Sequence, residues 1–358
     1  TKNDPNGSGQ TLRLDHLPKP KEFDAVWENL RTYLTDAGFR STEFVMDSFA
    51  EASAKLYDWL LAKPLASLDP AVKNLIIVPD GELGYLPFDL LGKPNGKADF
   101  KSFDYLLRRF NVSYAYSANL LLEQTQRAAE APGDLEIFAG FAPVYKNEDV
   151  LDMAWSGPRD SLFRGGKYDL PGAQKEVEEI AKLLGGQPFI GEAASEHNFK
   201  QNSQRFRILH LAMHTVLEER NPLFSKLLFT QTARDGNEDN DLNAMELYAM
   251  RLPAELAVLS ACETGFGKVR RGEGILSLSR AFTYAGVPAT LMSLWRADDE
   301  TTRQVMVSFY KNLKAGMRKN EALRQAKLTF LEGCEAKNAS PFFWAGFVAA
   351  GEMGAIFR

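Results

Sequence analysis

Residues 258–267, VLSACETGFG, form an apolar run that stops on a cysteine and then breaks into glycines. Extended back to Leu256, the run suits a strand buried on both faces, because it is continuous, apolar and bounded by turn residues. A second run of the same kind, ILHLAMH at 208–214, stops on a histidine. Two buried strands that each end in a reactive side chain point to an open parallel sheet, in which functional groups collect at the carboxyl ends of the strands.

The rest of the chain fits that frame. LEIFAGF (135–141), QPFIG (187–191), LLFT (227–230) and ATLMSLW (289–295) read as further strands. Helical periodicity is predicted over 171–184, 273–285, 299–314 and 319–332. Such alternation produces a mainly parallel α/β sheet covered by helices on both faces. Upstream, apolar spacing predicts helices over 22–38 and 49–62, a strand at 73–80 closed by Pro-Asp-Gly, and a strand entering a helix over 109–124. The stretches 145–168 and 231–243, rich in Gly, Asp and Asn, read as surface loops. A soft boundary at 125–134 divides the chain into a linker (1–20), a smaller α/β companion part (21–130) and a larger catalytic part (131–358). The Gly-, Asn- and Pro-rich start, TKNDPNGSGQ, has the composition of a linker to a neighbouring regulatory region.

Composition narrows the function. The 358 residues are 45% hydrophobic and 25% charged, which is ordinary for a folded globular chain, and the net charge is −5. With no basic cluster longer than Arg270-Arg271, a nucleic-acid footprint is not expected. No apolar stretch approaches the roughly 20 residues that span a bilayer, so a membrane role is not expected either. Only Cys262 and Cys334 are present; so few cysteines in a chain this long suit a reducing cytoplasm and a free thiol at 262.

A thiol attacks as its thiolate, and a nearby imidazole that takes or balances its proton makes the anion accessible. Cys262 follows His214 by 48 residues, close to the spacing of about 50 found in caspases. The surrounding Ser-Ala-Cys-Glu-Thr-Gly matches the caspase signature in part. Taken together and in order, IIVPDGELGYLPFDLL (76–91), LHLAMH (209–214), LSACETG (259–265), GEGILSLSRAFTYAGVPATLMSLWRADDETT (272–302) and PFFWAGFVAAGE (341–352) resemble the CHAT domain, a caspase-like peptidase module related to separase.

The resemblance implies a caspase-like fold and a cysteine endopeptidase with Cys262 as nucleophile and His214 as general base, needing no cofactor. It implies an oxyanion hole from the backbone N–H groups of Cys262 and Thr215, where threonine replaces the usual glycine. It also implies a strand-end acid that receives a basic residue before the cut; LWRADD aligns Asp299, and secondarily Asp298, with it. Glu263 is a further substrate-side candidate, and Glu273 would order the adjoining loop. The simplest alternative for the acids 298–300 is helix capping and favourable placement at a helix start. His210, four residues before His214, is expected to support it from the same strand face. Arg270 and Arg271 read as solvated loop charges or as an activation site. Related modules are attached to helical repeats, and some act in bacterial defence by cutting a partner such as a gasdermin-like protein.

Two other classes remain open at this point. One is a catalytically silent caspase-like interaction module. The other is a zinc-binding domain built on His210, His214 and Cys262, which lacks a fourth ligand or paired-cysteine spacing.

Overall fold

The computed structural model describes residues 13–35, 43–96, 99–129, 133–145, 170–218, 221–230, 238–260, 274–295 and 299–357. Cys262, Glu263, Glu273, Asp298, Arg270 and Arg271 lie outside the described residues, as do 1–12 of the expected linker, most of the 145–168 loop and 231–237.

The chain opens with α1 (Phe23–Thr35), which buries Val26, Trp27, Leu30 and Leu34 along one stripe. Next comes α2 (Glu43–Tyr57), which begins six residues before the expected start at 49 and passes through a π-helical turn, Asp58–Ala62, into the short α3 (Lys63–Leu65). Strand β1 (Asn74–Ile77) is followed by the small antiparallel pair β2 (Gly92–Lys93) and β3 (Asp104–Tyr105). Strand β4 (Asn111–Tyr114) then leads into α4 (Ala118–Ala129). The alternating region comprises β5 (Glu136–Ala142), α5 (Pro171–Leu184), β6 (Gln187–Ile190), α6 (Glu196–Asn202) and β7 (Phe206–Leu211). Strands β8 (Thr215–Val216), β9 (Lys226–Leu228) and β10 (Asp241–Asn243) pair antiparallel in a small separate sheet beside it. The last part contains α7 (Ala244–Ala249), β11 (Leu256–Leu259), α8 (Gly274–Tyr284), β12 (Ala289–Ser293), α9 (Asp299–Lys314), α10 (Lys319–Gly333) and β13 (Phe347–Gly351).

Among the described residues the large sheet has eight strands in the order β1-β4-β13-β12-β11-β7-β5-β6. Every neighbouring pair is parallel except β12 and β13. That one antiparallel step makes β1, β4 and β13 run against the other five, and the early strands reach the sheet through the last one by pairing Tyr114 with Ala350. The mainly parallel α/β architecture expected from the sequence is thus present. It explains why the central strands are unbroken apolar runs: β11 and β12 are buried at every position.

Helices cover both faces. Ser279 of α8 meets Thr290 of β12 on one face through their hydroxyls, 2.7 Å apart. On the other, α5 and α9 approach His210 of β7. The glycine at 140 sets how closely α5 can lie, since a Cβ there would sit 2.7 Å from Val177 Cγ1. The early part is fastened to α10 by a buried ion pair, Lys327 to Asp89 at 2.5 Å, and by Arg324 donating to the carbonyls of Leu107 and Arg108, and to the chain just before β13 by an edge-to-face contact of Tyr105 on Trp344. No helix among the described residues is long and apolar enough to cross a membrane.

Candidate active site

Strands β7 and β11 lie side by side and parallel, with Ile208 opposite Leu256, Leu209 opposite Ala257, His210 opposite Val258 and Leu211 opposite Leu259. Each pair is offset by 48 residues, and the Ser260 N–H extends the pairing by donating to the Leu211 carbonyl at 3.0 Å. His214 and Cys262 carry the same offset, so each stands three residues past the last paired position of its own strand. Strand β12 flanks β11 on the other side, also parallel, so the chain entering α9 at Asp299 leaves the same rim.

The rim differs from the sequence expectation in one respect. ILHLAMH was expected to be strand through 214, yet β7 ends at Leu211. The physical reason is its neighbour: Ala212 N–H donates to Phe141 O at the end of β5, and beyond it the chain turns away to form β8 with β9. His210 and His214 are therefore not a strand pair on one face. His210 points into the layer between sheet and helices, where its Nε2 meets Glu176 Oε1 at 2.8 Å and its Nδ1 meets the Tyr310 hydroxyl at 3.0 Å. Both ring nitrogens are engaged, which leaves none for a metal shared with His214.

His214 is buried, with only 2% of its surface exposed. Its N–H donates to the Tyr145 hydroxyl at 3.0 Å and its carbonyl accepts from Leu228 N–H at 3.0 Å. The Tyr145 hydroxyl itself donates to Leu228 O at 2.8 Å, and the Tyr145 ring lies 4.6 Å from the imidazole, centroid to centroid. One tyrosine thus fixes both the backbone and the ring face of the histidine. Thr215, in β8, pairs with Leu227. Asn240 is the non-glycine residue with positive φ among the described residues, so Thr215 needs no left-handed backbone and its β-branched side chain suits the extended conformation it has.

Asp299 is the first residue of α9 and is part-exposed. It packs against the start of α5 so closely that a Cβ on Gly172 would come within 2.6 Å of Asp299 Cβ. The neighbouring Glu300 is paired with Arg303 at 2.6 Å; the hydrogen bonds from Arg303 and Gln304 hold its carboxyl down to about 2. Two acids of one run therefore have different surroundings, Glu300 tied within its own helix and Asp299 set against a second helix.

The sequence pointed to none of four further polar residues around this rim: Tyr145, Glu176, Ser260 and Tyr310. Glu176 had a visible signal. In α5 the buried residues are Ala173, Glu176, Val177, Ile180 and Ala181, an apolar helical stripe interrupted by one carboxylate. A buried charge requires partners, and here they are His210 and Ser260, the latter donating to Glu176 Oε1 at 2.5 Å.

The family model of the CHAT domain matches residues 50–352, or 303 of the 358 residues, and the chain belongs to that family. Tetratricopeptide repeat protein 28 of Homo sapiens is 27% identical over 392 aligned positions that take in 97% of this chain and 15% of that protein. The mouse protein of the same name is 26% identical over 337 positions, 83% of this chain and 13% of its own. The chain therefore spans only about 15% of the length of the curated relatives it matches. Among solved structures, the Saccharomyces cerevisiae separase–securin complex aligns with a TM-score of 0.46 at 12% identity, covering 77% of this chain and 15% of that one. The complex of Porphyromonas gingivalis RgpB pro- and mature domains aligns with a TM-score of 0.46 at 10% identity, covering 95% and 78%.

Proposed function

We propose that this chain is the peptidase module of a larger protein, a cysteine endopeptidase that cuts a protein substrate after Arg or Lys. The observation that carries this reading is the constant offset of β7 and β11, which leaves His214 and Cys262 equally far past adjacent parallel strands. Membership of the CHAT family supports it.

In this mechanism His214 takes the Cys262 thiol proton and the sulfur attacks the scissile carbonyl, forming a tetrahedral intermediate. Its oxyanion is held by the backbone N–H groups of Cys262 and Thr215. The imidazolium returns its proton to the departing amine as the C–N bond breaks, leaving a thioester on Cys262. Water, deprotonated by His214, then attacks the thioester and releases the acid and the thiol. Asp299 pairs with the basic side chain before the cut, with Asp298 beside it in sequence, and the planar guanidinium of arginine offers a carboxylate two parallel donors. Glu263 is on the substrate side, and Glu273 orders the adjoining chain. Helical repeats elsewhere in the protein are the expected partner, in keeping with the name of the two curated relatives.

Fluorogenic peptides ending in Arg, Lys or Asp test this reading. Turnover of the Arg and Lys peptides, abolished by Cys262→Ala, is expected. Absence of turnover with and without the protein's repeat region, or turnover that survives Cys262→Ala, would refute it.

A further inference from the structure

We propose that Glu176 is a positioning residue for the peptidase chemistry, acting through Ser260 and His210 to hold the ends of β11 and β7 in register. The proposal rests on the assignment of Cys262 and His214 as the reacting pair.

Glu176 reaches the sheet from α5, and a single oxygen, Oε1, accepts both the Ser260 hydroxyl and His210 Nε2–H. The carboxylate and the histidine are completely or almost completely buried, with 1% and 0% of their surfaces exposed, and Ser260 follows at 3%. The acceptor at one ring nitrogen fixes the tautomer: with the proton on Nε2, Nδ1 accepts from the Tyr310 hydroxyl. Burial, reinforced by the Glu176 charge, pushes the Tyr310 phenol well above its usual range, so it stays a donor. The four side chains form a continuous line of bonds, Tyr310 of α9 to His210 of β7 to Glu176 of α5, with Ser260 at the end of β11 donating to the same carboxylate.

The placement gives this chain a consequence for the reaction. His210 lies four residues before His214 and Ser260 two before Cys262, and the two strands are direct neighbours. A shared acceptor between the strand ends resists sliding of one strand past the other, the displacement that would most directly separate sulfur from imidazole. The sheet ladder alone does not single out this register, because alanine, leucine and valine offer similar packing along both strands. A buried polar group satisfied in only one arrangement does. Gly140 belongs to the same device, since it stands opposite His210 in β5 and lets α5 come close enough for Glu176 to reach.

The test measures kcat and KM on the Arg peptide together with the alkylation rate of each cysteine by iodoacetamide at pH 6.5. Cys334, whose thiol burial pushes up, reports loosening of the fold. Glu176→Leu removes both bonds and should lower kcat and Cys262 alkylation on the order of tenfold to a hundredfold, with KM and Cys334 alkylation within about twofold. Ser260→Ala removes one bond and should move both quantities the same way by a smaller factor. Glu176→Gln keeps an acceptor oxygen and should stay within about threefold of wild type. Should Glu176→Leu not fold, Ser260→Ala decides. Wild-type kcat and Cys262 alkylation in Ser260→Ala, or a Gln variant as impaired as the Leu variant, would overturn the positioning role. Failure of the reacting-pair assignment would appear instead in the unsubstituted protein, as Cys262 alkylation no faster than that of a free cysteine.

Discussion

The Tyr145 hydroxyl sits between two strands of backbone, accepting the His214 N–H at 3.0 Å and donating to the Leu228 carbonyl at 2.8 Å, while its ring lies against the imidazole. Replacing it with phenylalanine keeps the ring and deletes both bonds, leaving a buried N–H without its acceptor. Tyr145→Phe should cost about 1–3 kcal/mol of stability, read from denaturant unfolding. Because the lost bonds hold the histidine, it should also lower kcat more than it raises KM.

Asp299 and Glu300 should separate in function. Asp299→Asn is expected to lower kcat/KM for the Arg peptide by at least about tenfold, with the smallest change for peptides lacking a basic residue. Glu300→Gln removes an exposed pair with Arg303 and should leave peptide selectivity as it was. Equal losses on basic and neutral peptides in Asp299→Asn would assign Asp299 to helix structure alone.

Lys327 and Asp89 join α10 to the early part of the chain in a buried pair whose lysine pKa is lowered by desolvation. Removing one member strands the other charge, so Lys327→Met should destabilise by about 3–5 kcal/mol. Combining it with Asp89→Leu should recover much of that loss, which a double-mutant cycle from unfolding curves measures.

Glu196, Glu238 and Glu246 surround Lys200, with nitrogen–oxygen distances of 2.6–2.8 Å. Desolvation pushes the Glu196 carboxyl up to about 7 despite the lysine. A carboxyl raised in the folded state favours folding at pH below its unfolded value, and that contribution is lost as pH rises through about 7. Glu196→Gln should therefore change the melting temperature little at pH 5 and raise it, relative to wild type, at pH 8.5. A difference of the opposite sign at pH 8.5 would show that the Lys200 pair outweighs the desolvation.

Much of this architecture could be read from the chain because burial on both faces writes itself as uninterrupted apolar runs, as in Leu256–Leu259 and Ala289–Ser293. The helices at Pro171–Leu184 and Asp299–Lys314 showed equally well through their stripes. What could not be read depended on neighbours distant in sequence. Nothing local distinguishes Leu211, where β7 ends, from the equally apolar Ala212 and Met213; the end is set by β5 and by the pairing of Thr215 with Leu227. The reversed direction of β1 and β4 follows from β13, more than 230 residues away. The candidate pair His214 and Cys262 stood out because each follows an apolar run, although β7 itself stops three residues short of His214. Tyr145 and Ser260 carry no such mark, since tyrosine and serine at strand ends are common and only their partners make them informative.

The central claim is most directly tested by intact-mass and peptide mapping after treatment with an arginyl acyloxymethyl ketone, which captures an attacking thiolate. The account predicts one adduct per chain, located on Cys262, that forms at least about a hundredfold more slowly in His214→Ala. An unmodified Cys262, or equal labelling in the presence and absence of the His214 imidazole, would contradict it.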